Sequence, residues 1–519
     1  QSDMIEEFNE LVDILKIPVI TTRMAMDIVD DNNPYFVGRP GTYGDRTGNY
    51  TVHNSDVLLV LGCRLSIGVI GHDYDKFANE SKKIIIDVDP KEFKKPSINK
   101  NDICIEANLI DILPELINLL KKEYEDKILF DKWMKLTKQW KEKYPVDLPE
   151  YKDQKEINSY HFMHEFSKKV PSNTLFAVDT GSCFHVHAQA FKVKFGQRHI
   201  ITGGLSTMGY SPSSIGVAVS SKEHKDVYCI SGDGSIQMNL QEFQTIAYYN
   251  LPIKTIIINN DGYLLIRLTQ KNFCENRLIG ESDKNGVGFP NMEKVADLYG
   301  IKYLSIKTNQ ELDEKISELI NYKGPMICEV FTGREQLLIP RVASKKEDDG
   351  KIISMPYDDM FPFLSIIGTG NIGTDLLMKV IKSNFLECTM FIGRNLQSKG
   401  MSKALTLNVP LSDKGIDAVI ENHDKFDLIF DSTTALSHLE HASVFEKYNI
   451  IAIDMTPAKI GEFIVPAVNI EDIKSKKNIN MITCGGQSSI PIAYSISQVV
   501  NDIEYIEIVS TISSKSAGP

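Results

Sequence analysis

The sequence predicts an α/β protein built as three doubly wound, mostly parallel Rossmann-like sheets in series. Three observations predict it. Short apolar, β-branched runs alternate with helical patterns along the whole chain, as βαβ units require. At 519 residues the chain has room for three domains of about 150 residues each. Two glycine turns directly follow such runs, "ISGDGS" at 230–235 and "IIGTGNIG" at 366–373, and phosphate-binding turns of parallel sheets stand at strand ends.

Composition narrows the class. The hydrophobic fraction of 42% and the charged fraction of 24% are those of an ordinary soluble protein. A net charge of −12 argues against nucleic-acid or acidic-membrane partners. No apolar run approaches the ~20 residues of a membrane-spanning helix. The opening "QSDMIEEFNELVDILK" reads as an acidic amphipathic helix, not a leader with a basic-then-apolar order. The eight cysteines are scattered without a CxxC pair, which points to reduced thiols and a cytoplasmic setting.

The strands follow in order. "IPVITT", "DVLLVLG" and "KKIIIDVD" belong to a first domain, residues 1–150. "TLFAVDT", "HIITGG", "DVYCISG", "IKTIIIN" and "PMICEVF" belong to a second, 151–364. "FLSII", "CTMFIG", "DLIFDS", "NIIAID" and "NINMIT" belong to a third, 365–519. The stretch from Lys121 to Glu156 breaks the rhythm and reads as a connecting helix plus linker, with Trp133 and Trp140 as packing residues on one helical face.

In the second domain Asp233 follows one strand, and Asn259 and Asn260 follow the next. Adjacent parallel strands bring Asp233 and Asn260 to the same carboxyl edge of the sheet, where open α/β folds bind ligands. A carboxylate and an amide oxygen suit Mg²⁺, which prefers oxygen and keeps places for phosphate and water. The turn at Gly234 and Ser235 is expected to open the helix "IQMNLQEFQTIAYY", its first amides facing a diphosphate. Together these form a Mg-diphosphate clamp.

The stretch "GDGSIQMNLQEFQTIAYYNLPIKTIIINNDGY" resembles the thiamine-diphosphate signature. With "VDTGSC" at 178–183, "GGLSTMGY" at 203–210 and the tail "SKKEDDGKIISMPYDDMFPFL", residues 1–364 are similar to acetohydroxyacid-synthase-like enzymes. The resemblance implies Mg²⁺ on Asp233, Asn260 and the carbonyl of Gly262. It implies thiamine diphosphate near Gly181, Ser182, Gly234 and Ser235, with Met208 under the thiazolium ring; the plainer alternative for Met208 is a core methionine. "GRPGTYGDRTGNY" and "VLGCRL" resemble the middle domain of that family, which leaves FAD open. The family also uses a glutamate from a separate N-terminal pyrimidine-binding domain. Residue 1 reads as the start of the middle domain, so that glutamate is expected from a partner chain or a further segment.

In the third domain "FLSIIGTGNIGTDLLMKVI" is a strand, a GxGxxG turn and a helix. Gly368, Gly370 and Gly373 then serve the tight turn, the approach of a pyrophosphate and the helix–strand packing. The next strand ends in Gly393-Arg394-Asn395 where an acid would bind the ribose of NAD, so Arg394 and Ser398 leave NADP open. Cys484 in "NINMITCGGQSSIP" reads as a thiol at a strand end, beside free backbone amides of Gly485 and Gly486; a lone Cys there is otherwise a buried core thiol. The blocks "IIGTGNIGTDLLMKV", "FDSTTALSH", "IAIDMTPAKIGEFIVPAVN", "NINMITCGGQSSIPIA" and "ISSKSAGP" resemble CoA-acylating acetaldehyde dehydrogenase in order. By that resemblance Cys484 is the nucleophile that carries the aldehyde and then the acyl group to CoA. Gly368, Thr369, Gly370, Asn371, Ile372 and Gly373 contact NAD, and Ser516, Ala517, Gly518 and Pro519 lie near its nicotinamide. Cys63, Cys104, Cys183, Cys229, Cys274, Cys328 and Cys388 carry no motif and read as packing residues.

The sequence therefore reads as a fusion of a thiamine-diphosphate-dependent 2-oxo-acid decarboxylase or carboligase with an acylating aldehyde dehydrogenase, both incomplete, in a homo-oligomer or with a partner chain. Two alternatives stand beside it. One is a catalytically inactive cofactor-binding remnant of two merged genes. The other is an aldehyde dehydrogenase carrying its first 364 residues as a scaffold.

Overall fold

The computed structural model describes residues 3–72, 74–123, 130–221, 225–342, 344–346, 352–354, 363–383, 386–407, 409–470, 476–481, 484–500 and 503–507. The chain divides into two compact units, Gln1–Met360 and Phe361–Pro519. The main sheet of each unit is parallel throughout, as the alternating pattern predicts.

The first unit begins with a helix over Ile5–Leu15 and a parallel pair, Val19–Ile20 with Phe36–Gly38, and a three-stranded parallel sheet follows, β1 (Val57–Leu61), β2 (Lys82–Asp87) and β3 (Ile103–Glu106), in that order. Before it, helix α1 (Arg46–His53) is capped by Asp45, whose carboxylate accepts from the Gly48 amide. A helix over Asp131–Lys143 carries Trp133 and Trp140, whose rings meet edge-on at 5.6 Å; Trp140 packs in turn on Tyr50. Both tryptophans thus serve packing.

The larger sheet of this unit contains β4 (Leu175–Val178), β5 (Arg198–Ile201), β6 (Val227–Gly232), β7 (Ile253–Asn259), β8 (Lys302–Ile306) and β9 (Met326–Phe331). Their spatial order is β8-β9-β7-β6-β4-β5. Helices α2 (Ser159–Lys169), α3 (Ser182–Ala190) and α4 (Leu264–Phe273) pack in the same unit. Alternate residues of β6 point to opposite faces: Tyr228 and Ile230 join one core cluster, while Val227 and Cys229 join the other. Both faces are covered, which is why β6 and β7 read as unbroken apolar runs. The segment 23–44 lies on this part of the unit. Tyr43 stacks on His185 at 3.9 Å, and Arg23 donates to His185 Nδ1 at 2.7 Å. Burial, seconded by Arg23, holds His185 well below its usual range, so the neutral ring accepts that bond.

The second unit has a seven-stranded parallel sheet. Its strands are β10 (Phe363–Ile367), β11 (Glu387–Ile392), β12 (Leu411–Ser412), β13 (Leu428–Asp431), β14 (Ile451–Asp454), β15 (Glu462–Phe463) and β16 (Asn478–Asn480), in the order β12-β11-β10-β13-β14-β16-β15. Its main helices are α5 (Asn371–Lys382), α6 (Ala435–Lys447) and α7 (Cys484–Ser497).

Candidate cofactor sites

The first unit's sheet changes direction beside β4. The chain leaves β4 for β5 on one side and returns to β6 on the other. Ligands of open parallel sheets bind at such a switch point, beyond the carboxyl ends of the strands. Asp179 follows β4, Asp233 follows β6 and Asn260 follows β7, and all three are buried. Asp179 Oδ2 accepts from Ser231 Oγ (2.9 Å) and Ser235 Oγ (2.7 Å), which ties the ends of β4 and β6 together. Asp233 accepts from the amides of Gly234 (2.8 Å), Gly262 (2.9 Å) and Asn260 (3.2 Å). Burial pushes its carboxyl up to about 6, against the pull of these three amides and of Arg267. The Asn260 amide donates to Ser182 Oγ at 3.4 Å, while Asn260 Oδ1 is buried and has no hydrogen-bond partner. A buried carboxylate that resists ionisation beside a bare amide oxygen is a donor set that a hard cation completes.

A feature that the sequence reading missed holds this edge in shape. Arg267, on α4, is fully buried. It pairs with the equally buried Glu281 at 2.5 Å and donates to the carbonyls of Asn260 (3.3 Å), Asp261 (2.6 Å) and Arg334 (2.7 Å). Arg334 in turn reaches Glu281 at 2.7 Å and also pairs with Asp261. Burial alone would raise Glu281, but hydrogen bonds from Asn285, Ser282 and Arg267 bring it down to about 2. Gly262 adopts φ +130°, and a Cβ there would lie 2.0 Å from the Glu281 carbonyl oxygen. No other residue fits that approach. The signal was out of reach because Arg267, Glu281 and Arg334 are far apart in sequence.

The structure thus brings together Asp233, Gly234, Ser235, Asn260, Gly262 and Ser182, with Gly181 immediately before α3. Met208 is 39% exposed and is therefore not the core methionine of the plainer alternative. Its loop rests on the Ser235–Asn239 turn: the Gly209 amide donates to Ser235 Oγ, and Asn239 donates to the Gly209 carbonyl. This contact corrects one expectation. Gly234-Ser235 does not open an α-helix. Ile236–Asn239 is a 3-10 turn, and the α-helix begins only at Glu242.

The glycine- and arginine-rich loop at 38–50 is knotted on itself. Arg39 pairs with Asp31 in the interior, Asp45 accepts from the amides of Arg39 and Gly48, and Asn49 bonds both backbone groups of Gly41. These side chains are engaged within the protein fold.

In the second unit the sheet reverses between β10 and β13, and the GTGNIG turn stands there. Gly368 has φ +109°, and a Cβ on it would press on Ser432 at 2.7 Å. A Cβ on Gly373 would lie 1.8 Å from the Gly368 carbonyl oxygen, so α5 packs directly on the turn. A Cβ on Gly370 would meet nothing within 4 Å. Gly370, Asn371 and Ile372 are exposed, and Thr369 is half-buried, accepting from Ser398 Oγ at 3.3 Å. An open turn over a packed helix start fits a dinucleotide pyrophosphate. Arg394 follows β11 and donates to Ser437 Oγ at 3.4 Å. Behind the turn, Asp431 Oδ2 lies 2.9 Å from His438 Nδ1 and 2.8 Å from His441 Nδ1, and His438 Nε2 lies 3.5 Å from Asp454. Burial lowers His438, but Asp431 and Asp454 outweigh it and raise the ring above its usual value.

Cys484 is the first residue of α7 and not the end of a strand; β16 stops at Asn480. Gln487 anchors the helix start by donating to the carbonyls of Ile464 and Met481. Ser516, Ala517, Gly518 and Pro519, read as nicotinamide neighbours, lie outside the described residues. The packing reading of the other cysteines holds for the buried Cys183, Cys229, Cys328 and Cys388. It fails for Cys104 and Cys274, which are exposed; Cys63 is half-buried.

Comparison with known proteins finds matches in both units. Residues 1–116 match the central domain of thiamine pyrophosphate enzymes, and residues 179–330 match their C-terminal TPP binding domain. Residues 484–519 match the dimerisation domain of prokaryotic acetaldehyde dehydrogenase. The acetolactate synthase large subunit of Porphyra purpurea is 32% identical over 351 residues, 67% of this chain and 58% of that protein. Acetaldehyde dehydrogenases of Spirochaeta aurantia (51% over 156 residues) and Pectobacterium atrosepticum (52% over 158) each align with 30% of this chain, and with 52% and 53% of their own lengths. The chain spans little more than half the length of the relatives it matches. It joins the central domain and the C-terminal TPP binding domain of the thiamine pyrophosphate enzyme type to a segment of the acetaldehyde dehydrogenase type.

Proposed function

We propose that the first unit binds Mg²⁺ and thiamine diphosphate and acts on a 2-oxo acid, and that the second binds NAD and oxidises an aldehyde to an acyl-CoA. The observation that carries the first part is the bare, buried Asn260 Oδ1 beside the buried Asp233. In this reading Asp233, Asn260 and the Gly262 carbonyl hold Mg²⁺. The segments at Gly181-Ser182 and Gly234-Ser235 take the diphosphate, and Met208 supports the cofactor. Thiamine diphosphate, when bound, would supply the carbon nucleophile that adds to the 2-oxo group and the cationic ring that takes up the electron pair left as CO₂ departs. The chain's own part is to fix the diphosphate end, exclude water and hold the metal ligands still through Arg267 and Glu281.

In the second unit Gly368–Gly373 take the NAD pyrophosphate, and NAD when bound supplies the hydride acceptor. Cys484 stands at a helix start, where the macrodipole favours a thiolate. Its sulfur would add to the aldehyde carbonyl carbon, the adduct would give up its hydride to the dinucleotide and its hydroxyl proton to a base, and the resulting thioester would pass its acyl group to the CoA thiol, freeing Cys484. The similarity of residues 484–519 to a dimerisation domain supports a homo-oligomer. Among the described residues no helix is long and apolar enough to cross a membrane, and the scattered thiols suit the cytoplasm. FAD in the first 150 residues has the family resemblance as its support.

The test is calorimetric titration of the chain with thiamine diphosphate plus Mg²⁺, and separately with NAD and NADP. Binding of the first is expected to weaken ~100-fold or more in Asp233→Ala while NAD binding stays unchanged, since losing a metal ligand exceeds the cost of losing its supporting shell. Unchanged thiamine diphosphate affinity in that variant rejects the assignment. NADP binding tighter than NAD would move the dinucleotide reading to Arg394 and Ser398. Aldehyde oxidation that persists in Cys484→Ala would reject the nucleophile.

A further inference from the structure

A cluster of metal-ligating side chains stands outside both cofactor sites. Helix α2 buries Tyr160, Phe162, Met163 and Phe166 in the core. His161, His164, Glu165 and Lys168, at helical spacing, share the adjoining stripe. Asp147, from the segment after the tryptophan helix, faces that stripe. One ligand atom each from Asp147, His164 and Glu165 lie within 4.8 Å of one another. His161 Nδ1 is 3.2 Å from both oxygens of Asp147. His164 Nε2 is 3.9 Å from Asp147 Oδ2, too long for a hydrogen bond but close to the spacing of two ligands on one ion. Its other nitrogen, Nδ1, is buried without a hydrogen-bond partner. The side chains of His161, Asp147 and His164 are only 14%, 16% and 20% exposed.

We propose that Asp147, His164 and Glu165 form a Zn²⁺ site that fastens the linker after Lys143 to helix α2, with His161 steering Asp147. One imidazole and two carboxylates are a donor set for a borderline divalent ion, and three protein ligands leave a fourth position for water. A ring nitrogen on a neighbouring side chain that orients a ligating carboxylate is the usual support of such a site. Glu165 also pairs with Lys168 at 2.7 Å through Oε1, which leaves its second oxygen for the ion. The site is independent of the thiamine diphosphate reading.

The test uses the full chain, stripped of metal and held in saturating Mg²⁺, titrated with Zn²⁺ against a chromogenic chelator and with Co²⁺ by visible absorption. The expected result is one Zn²⁺ per chain with tetrahedral Co²⁺ bands. Affinity is expected to fall ~10-fold or more in His164→Ala and Glu165→Gln, roughly 10-fold in His161→Gln, and not at all in Asp233→Ala. Zn²⁺ should raise the thermal midpoint of the wild type but not of Glu165→Gln. Glu165→Gln alters a partly exposed side chain, so it carries the test if His164→Ala does not fold. No Zn²⁺ binding, or equal affinity in His164→Ala, Glu165→Gln and wild type, overturns the proposal; the exposed Cys104 and Cys274 would then be the source of any Zn²⁺ bound.

Discussion

The GDG edge of the first unit and the GTGNIG turn of the second both stand where a parallel sheet reverses its strand order, yet they are held by different forces. The first is a buried charge system. Asp179, Asp233, Arg267 and Glu281 are all nearly inaccessible, and the carbonyls of Asn260 and Asp261 are stitched to a guanidinium. The second is held by contact. Gly368 and Gly373 let backbone touch backbone, and Ser432 closes the turn. A charge-built edge with an unpartnered amide oxygen calls for a cation; a turn built by close approach offers amides and calls for an anion alone. The contrast explains why one unit would need Mg²⁺ for a diphosphate while the other would not.

The largest effect should come from breaking the charge system. Arg267→Ala removes one of the two guanidinium groups paired with the buried Glu281, and breaking a buried ion pair costs ~3–5 kcal/mol. Both tryptophans lie in the first unit, so the loss is read as a lower denaturant midpoint in tryptophan fluorescence. An unchanged midpoint would mean that the Arg267 clamp contributes little. Next comes the contact-built turn. Gly373→Ala places a methyl where the Gly368 carbonyl stands, and overpacking of that kind costs ~1–3 kcal/mol. Hydrogen exchange over 371–382 should accelerate and NAD affinity should fall, while tryptophan fluorescence stays as it was.

How far these two turns were legible in the sequence follows the same division. The strands β6, β7 and β10 were legible because burial on both faces makes them continuous apolar runs. The glycine spacing of the second turn was legible because contact depends on neighbours in sequence. The charge system was not, since Arg267, Glu281 and Arg334 converge only in three dimensions. Strand β8 was missed because "KYLSI" is short and mixes exposed with buried residues. The helix expected at Gly234-Ser235 yielded to a tertiary contact, Asn239 on Gly209. Cys484 was read as a strand end because "NINMIT" alternates polar and apolar residues as a strand does, whereas the structure starts a helix at Cys484.

A smaller effect separates the units by pH. His438 is raised by Asp431 and Asp454, so its protonated form stabilises the second unit. That contribution is fully present below the ordinary histidine value of 6.5 and is lost as pH rises through the raised value of the folded ring. Asp431 is lowered, so its contribution is present above the ordinary carboxyl value and is lost as pH falls. Hydrogen-exchange protection over α6, taken relative to the base-catalysed intrinsic rate at each pH, should therefore fall above neutrality in the wild type. The slope should vanish in His438→Gln; a slope that survives would assign it to another group.

The claim on which the first unit rests is that Asp233 and Asn260 share one ion. Anomalous diffraction from crystals grown with Mn²⁺ and thiamine diphosphate tests it most directly. The account predicts one peak at bonding distance from an Asp233 carboxylate oxygen and from Asn260 Oδ1. A peak elsewhere, or an Asn260 side chain turned away to a protein donor, would contradict it.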